Sequence, residues 1–209
     1  MRALRRSIGA VGSAAVAVFV LTACATASPS ATPAPAALGE VSPVPPSEEV
    51  AATGTVLDVA GDAQLCLGAV AESYPPQCIG IPLDGWTWDG VESYESSGDV
   101  TWGAYAVRGT YDGERFALTQ PPIMLALYDP IRPEDPTGGR PGKGDDETLA
   151  RLQEELPDRL GSSYLSSWPQ DGWLWVDVVW DDGSWQRAAD AEFGEDIVVI
   201  RSAMTPTGG

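Results

Sequence analysis

The first 49 residues offer little to a packed core, and this limits where a fold can begin. Arg2, Arg5 and Arg6 open the chain, and Ile8 to Thr22 is uncharged and built of mostly small or apolar residues. A basic start, a short apolar run and small residues at its end mark a secretory leader rather than a structural helix. The other reading, an uncleaved transmembrane helix, would stretch Ile8 to Ala27 to about the 20 residues a span needs. That stretch is rich in Gly, Ala and Ser, and a proline-rich tract follows it directly. Residues 1–23 are therefore expected to be a signal peptide. From Ala25 to Glu49 the chain carries Pro29, Pro33, Pro35, Pro43, Pro45 and Pro46 among Ala, Ser and Thr. Such composition cannot bury a core and favours extended polyproline geometry. Residues 24–49 are expected to be a tether, about 80 Å long when fully extended.

Leu21-Thr22-Ala23-Cys24 resembles a bacterial lipobox. The resemblance implies that Cys24 becomes the new N-terminus with a diacylglycerol on its sulfur. Two acyl chains suffice for stable anchoring, so the lipid membrane is an expected partner, on its extracellular face.

Charge and missing residue types exclude whole classes of function. The leader takes three of the 12 basic residues and none of the 30 acidic ones, which leaves the rest of the chain at −21. Strong acidity keeps a protein soluble and repels polyanions. Nucleic acid is not expected as a partner, because phosphate neutralisation supplies most non-specific affinity. There is no histidine and no asparagine, and Lys143 is the only lysine. A Ser-His-Asp or Cys-His site cannot be built, nor can a histidine metal site. A Ser-Lys dyad would need Lys143, which sits in the loop Gly139-Arg140-Pro141-Gly142-Lys143-Gly144. No cofactor is implied.

With Cys24 acylated, Cys66 and Cys78 remain. An even pair in an exported chain reads as a disulfide. The alternative is two free thiols; a metal reading needs four ligands. Closing so short a loop contributes about 3 kcal/mol in the chain-entropy model.

Residues 50–128 are expected to form an OB-like β domain. Thr53 to Val59 alternates and is rich in β-branched residues. Val100 to Tyr111 reads as a long strand, Asp112-Gly113 as a hairpin turn, and Glu114 to Gln120 as the return strand. Pro121-Pro122 ends it. Short strands about a Gly-rich bend suggest a five-stranded barrel, with a β-sandwich fragment as the alternative. Residues 129–145 hold prolines and glycines and read as a hinge.

Residues 146–205 are expected to form a small α/β unit in the order helix, strand, helix, strand. The fold class is thus α+β. Leu149, Leu152, Leu156 and Leu160 recur at helical spacing behind a capping Asp145 or Asp146, and Pro157 should weaken or bend the last turn. Trp173 to Trp180 reads as a strand. Its even positions Leu174, Val176, Val178 and Trp180 share one face, and Trp173, Trp175, Asp177 and Val179 share the other. Ser184 can cap a helix over Trp185 to Phe193 with Gly194 as its stop. Ile197 to Ile200 is a buried strand, and Thr205 to Gly209 should fray.

Several stretches are similar to those of lipoproteins exported by actinobacteria. They are the lipobox, Tyr74-Pro75-Pro76-Gln77-Cys78, Gly85-Trp86-Thr87-Trp88, Trp102-Gly103-Ala104-Tyr105 and Trp180-Asp181-Asp182-Gly183-Ser184. The resemblance implies a localisation and carries no catalytic residues.

Eight tryptophans make a heavy aromatic load. Trp86 and Trp88 flank Thr87, and Trp173 and Trp175 share a face with Asp177. Aromatic faces beside carboxylates suit sugars, which stack through their C–H faces and offer hydroxyls to acceptors. The alternative is that these rings fill two small cores. A glycosidase would need two carboxylates at a defined separation, with Asp84, Asp89 and Asp177 as the acids nearest tryptophan. Cation binding would fall to Asp145-Asp146-Glu147 or Asp181-Asp182, but neither run has the spacing of a calcium loop. The expectation is a lipid-anchored, non-catalytic binding or accessory module. Its ligand would be a cell-wall carbohydrate on Trp86, Trp88, Trp173, Trp175 and Asp177. The runner-up is a structural lipoprotein that docks a protein partner.

Overall fold

The computed structural model describes residues 36–130 and 134–208. The signal peptide, Cys24 and the first part of the tether lie outside the described residues. Among the described residues the fold is mixed α+β, with a closed five-stranded barrel and two α-helices.

The barrel starts from a tight reversal. Ala60 and Gly61 both have positive φ, 54° and 98°, as a two-residue hairpin matched to strand twist requires. The Asp58 carboxylate accepts the Gly61 N–H at 2.7 Å. Strand β1 (Val50–Val59) thereby folds back on β2 (Asp62–Cys66). Then come β3 (Ile81–Asp84), a short β4 (Glu95–Ser97), the long β5 (Val100–Tyr111), β6 (Phe116–Leu118) and β7 (Ile123–Met124). The ring runs β1-β2-β3-β6-β5 and closes where β5 pairs with β1 from Val50↔Gly109 to Val59↔Val100. Only the β3–β6 pairing in the ring is parallel. β4 and β7 add to β5 outside it. Strands β2 and β3 fall between the strands expected at Thr53 to Val59 and Val100 to Tyr111, where none is legible because each is short and lies in the Gly- and Pro-rich half of the domain. The expected Asp112-Gly113 hairpin is a four-residue loop, with Tyr111 opposite Phe116. Asp112 accepts the N–H groups of Glu114 and Arg115.

Alternation along β5 sends Tyr105, Val107 and Tyr111 into the core with Val50, Val56, Leu65, Leu83 and Phe116. At Gly109 a Cβ would lie 2.0 Å from the Ala117 carbonyl. Only glycine lets β6 approach so closely there.

The second layer follows helix α1 (Asp146–Leu160), β8 (Tyr164–Gln170), β9 (Trp173–Val178), α2 (Ser184–Phe193), β10 (Val198–Ser202) and β11 (Met204–Pro206). Asp145 caps α1, its carboxylate accepting the Thr148 N–H at 2.8 Å. All four leucines of the stripe are buried, and the helix runs through Pro157 to Leu160. Ser184 is not the cap of α2. Gly183 stands there, and Asp181 and Asp182 accept the first N–H groups of the helix. The sheet order is β10-β9-β8, with β9 and β10 parallel across α2 and β8 antiparallel to β9. Leu174, Val176 and Val178 pack with Trp185, Ala188 and the α1 leucines. Strand β8 departs from the expected order. Its Ser166, Ser167 and Pro169 do not read as a strand, but β8 is an edge strand, where proline is tolerated.

Three segments expected to be loose are bound to the body. Strand β11 pairs with the start of β1, and the Thr207 N–H donates to the Glu49 carbonyl at 2.9 Å. This removes the expected fraying from Thr205 to Thr207, and Met204 enters the barrel core. The described part of the hinge is tied to the sheet turns. The N–H groups of Gly142, Lys143 and Gly144 donate to the carbonyls of Asp171, Asp196 and Gly172 at 2.7–2.9 Å.

Residues 36–49, read as tether, lie along the helix layer as a strap. Leu38 is 1% exposed and sits among the α1 leucines. Its N–H donates to Glu192 at 2.9 Å, and its carbonyl accepts from Arg159 at 2.7 Å. Further on, Trp185 Nε1 donates to the Val41 carbonyl at 2.6 Å and Trp180 Nε1 to the Val44 carbonyl at 2.9 Å. The composition is that of a linker, but one buried leucine and four donors override it.

Two measurements test the strap. Leu38→Ala leaves a cavity in the helix core and is expected to cost about 2–4 kcal/mol in urea unfolding. A loss within experimental error would mean that the strap does not stay docked. The second test is acid titration. The Arg159 guanidinium, then the Leu38 N–H, hold the Glu192 carboxyl below its ordinary 4.5. The folded value is the lower one, so this contact stabilises fully above about 4.5 and fades as pH falls through the lowered value. Glu192→Gln should flatten the stability curve below pH ~4.5 and cost under ~1 kcal/mol at pH 7. A curve parallel to the parent's would remove Glu192 from the strap's hold.

Candidate functional site

The two faces of the three-stranded sheet differ in chemistry. The helix side takes Leu174, Val176 and Val178. On β9 the opposite side presents Trp175 and Asp177. Register sets their neighbours. Trp168 on β8 lies opposite Trp175, Ser166 opposite Asp177, and Arg201 on β10 beside Asp177.

These side chains form one connected group. The Trp168 and Trp175 rings are nearly parallel, at 7° with centroids 6.4 Å apart. The Arg201 guanidinium carbon lies 4.8 Å from the Trp168 centroid and 5.4 Å from that of Trp175. Arg201 Nε donates to Asp177 Oδ1 at 2.8 Å, and Ser166 Oγ donates to the other oxygen at 3.3 Å. The carboxylate fixes the guanidinium, and the guanidinium spans both indoles. Cation–π attraction of this kind contributes about 0.5–1 kcal/mol at a partly exposed site.

Ser166, Trp175, Asp177 and Arg201 of this group line a groove of about 1190 Å³, and Trp168 stands behind them against Trp175 and Arg201. Leu67, Gly68 and Ala69 beyond β2 contribute from the barrel side, and Glu134 to Pro136 from the loop before α1. Asp181 and Asp182 stand at one end. The disulfide Cys66–Cys78 is formed, closing the loop that begins at Leu67.

The sequence-predicted site residues separate into different places. Trp175 and Asp177 lie together in the groove. Trp173 does not join them: it is 6% exposed, and its Nε1 donates to the Arg140 carbonyl at 2.8 Å. It anchors the loop before α1. Trp86 and Trp88 are half-buried at the barrel, edge to face at 80° with centroids 5.0 Å apart. Trp88 Nε1 donates to Asp58 at 2.9 Å. Trp86 packs on Tyr105, 5.1 Å between centroids, and lines a second cavity of about 660 Å³.

Sequence reasoning missed Trp168, Arg201 and Ser166. A signal for the first and last was present. Asp171-Gly172 has φ of 52° and 79°, the two-residue reversal that Asp-Gly favours. Counting outward from that turn pairs 168 with 175 and 166 with 177. Arg201 carries no such signal, because a parallel neighbour comes from across a helix.

Asp84, Asp177 and Lys143, three of the charged candidates for catalysis, are held in ion pairs. Arg115 donates to Asp84 through Nε at 2.8 Å and through Nη2, and this holds the Asp84 carboxyl below the ordinary range. A general acid needs the opposite shift. Lys143 Nζ lies 2.8 Å from Asp196, and the pairing pushes the ammonium upward, away from what a lysine base requires. Asp145, Asp181 and Asp182 are spent on helix N-termini. Among the described residues no helix is long and apolar enough to cross a membrane.

Comparison with known protein families, with curated protein sequences and with solved structures finds no match to this chain.

Proposed function

We propose that this chain is a lipid-anchored, exported binding module that takes a neutral or cationic saccharide segment in the groove beside Trp168 and Trp175. The observation that carries the proposal is the Trp168–Trp175–Arg201–Asp177 group. The Trp175 indole, backed by the parallel ring of Trp168, offers apolar surface to the C–H face of a sugar, and Arg201 and Asp177 offer a donor and an acceptor to its hydroxyls. The groove is somewhat larger than the ~300–1,000 Å³ common for small-molecule sites, which suits an oligomer better than a single ring. Among the described residues, Glu134, Asp135, Asp177, Asp181 and Asp182 line it against one cation, Arg201. That balance disfavours an anionic polymer.

The anchor rests on the leader and on Cys24, and the disulfide fits an oxidising compartment outside the cytosol. With β4 set aside, the ring order is first-second-third-fifth-fourth and returns to the first, with third and fifth parallel. We read this as an OB-like barrel followed by a small α/β unit. Barrels of that type serve as oligosaccharide binders, although here the groove lies beside the barrel. Docking of a protein partner is the second reading. It is favoured by Tyr74 and Ile79, 71% and 93% exposed around the disulfide.

Titration of the purified protein with neutral, amino-bearing and acidic wall oligosaccharides, read by tryptophan fluorescence, tests the proposal. Saturable binding of neutral or amino-bearing chains is expected, with acidic chains at least tenfold weaker. Trp175→Ala and Trp168→Ala should each weaken binding by about tenfold, the equivalent of ~1.4 kcal/mol. Equal affinity in both variants, or no saturable response to any chain, would overturn it.

A further inference from the structure

The second cavity belongs to the barrel and shares none of its lining with the groove. It lies under the loop Gly85 to Glu92 and against β6, β7 and the chain that follows. Its walls are mainly apolar: Trp86, Tyr105, Leu118, Pro122, Met124 and Leu127. Its volume, about 660 Å³, falls in the range of small-molecule sites. Apolar side chains continue out at its mouth, with Ile123 40% and Leu127 75% exposed.

One polar atom is out of place. Trp86 Nε1 is buried and has no hydrogen-bond partner among the described residues. Four other indoles of the chain are paired. Trp88, Trp173, Trp180 and Trp185 all give their N–H to a protein acceptor. The neighbouring Tyr105 hydroxyl is also spent, donating to the Glu92 carbonyl at 2.8 Å. A buried donor left unpaired is destabilising, and each one in a native structure calls for an explanation. Charge narrows what could supply the missing acceptor. Among the described residues the lining holds Asp89 and Glu92 and no Lys or Arg. An anion would meet two like charges and no counter-ion.

We propose that this cavity binds a small, uncharged, mostly apolar molecule whose single acceptor, a carbonyl or ester oxygen, takes the Trp86 N–H. The apolar walls and rim hold its body, and the orphan donor fixes its orientation. This site is independent of the saccharide groove and does not rest on that reading.

Nile red, which is neutral, apolar and carries one carbonyl, is a suitable probe for the whole protein. Saturable one-to-one binding is expected. Trp86→Phe keeps the aromatic packing, removes only the N–H, and should weaken binding about five- to tenfold. Leu127→Asp changes an exposed side chain the fold does not need and should weaken it at least tenfold. Trp175→Ala, in the groove, should leave it unchanged. In competition, uncharged methyl decanoate should displace the probe, while decanoate and decylammonium should do so at least tenfold less well. Near-UV circular dichroism reports whether each variant is folded, and Leu127→Asp keeps the test open if Trp86→Phe is not. The proposal is overturned by absence of saturable binding, by unchanged affinity in a folded Trp86→Phe or Leu127→Asp, or by a charged competitor matching the neutral one.

Discussion

Strand β1 is the element on which the other pairings depend. Along one edge it meets β5 over its whole length, from Val50↔Gly109 to Val59↔Val100. Along the other it changes partner. Val50 to Ala52 pair with β11, and Thr55 to Val59 pair with β2. The change falls at Thr53-Gly54, where a Cβ on Gly54 would lie 2.4 Å from the Cys66 carbonyl. A strand interior normally disfavours glycine. Here glycine lets a single strand close the barrel with one half and receive the chain's last strand with the other. The C-terminal layer is thus joined to the barrel through backbone hydrogen bonds, and Val179 and Met204 complete the barrel core.

The tryptophans do a second kind of joining. Each offers a large apolar body and one N–H, and a buried ring seeks an acceptor for that donor. Trp173 finds the Arg140 carbonyl, Trp180 that of Val44, and Trp185 that of Val41. All three acceptors belong to segments without regular structure of their own. Such segments carry many backbone groups and little apolar surface, so a ring that covers them and also bonds them holds them well. That explains how a strap rich in Ala, Pro and Ser stays on the helix layer, and why the eight tryptophans are largely structural rather than ligand-facing.

Legibility in the sequence followed periodicity. Strand β5 alternates over twelve residues, and the α1 leucines recur over fifteen, long enough for the pattern to stand out against its surroundings. The cysteine pair, the stop at Gly194 and the α+β class came from equally local chemistry. The short β2 and β3 give too few alternations to register. Strand β8 was hidden because edge position, a property of the finished sheet, is what makes Pro169 acceptable. The strap was misread because Leu38 is a single apolar residue in linker-like surroundings, and burial of one residue leaves no period. The groove was half legible. Trp175 and Asp177 lie on one strand and share a face by simple alternation. Trp168 and Arg201 reach them only through cross-strand register, and Trp173, equally well placed by alternation, lies beneath a loop whose docking no local pattern foretells.

The acids bear on the proposal that the groove is a place for binding. A chain with 30 acidic residues would be expected to set some side by side near any cavity. What matters is what each is already doing. Asp181 accepts two N–H groups at the start of α2, and Asp182 accepts those of Ser184 and Val44. Asp135 accepts the Thr137 hydroxyl and N–H, which hold its carboxyl below the ordinary value. Asp177 is bound to Arg201. The hydrogen bonds that Asp135 and Asp182 accept stabilise their charged form, so at neutral pH these two carboxyls hold no proton to donate. Their fixed negative charge still shapes the groove, because a hydrogen-bonded carboxylate keeps its charge. On the proposed reading, the same groups that hold the second layer together would bias the groove toward neutral and cationic ligands, while the Trp175 indole would supply the contact surface that charge alone does not.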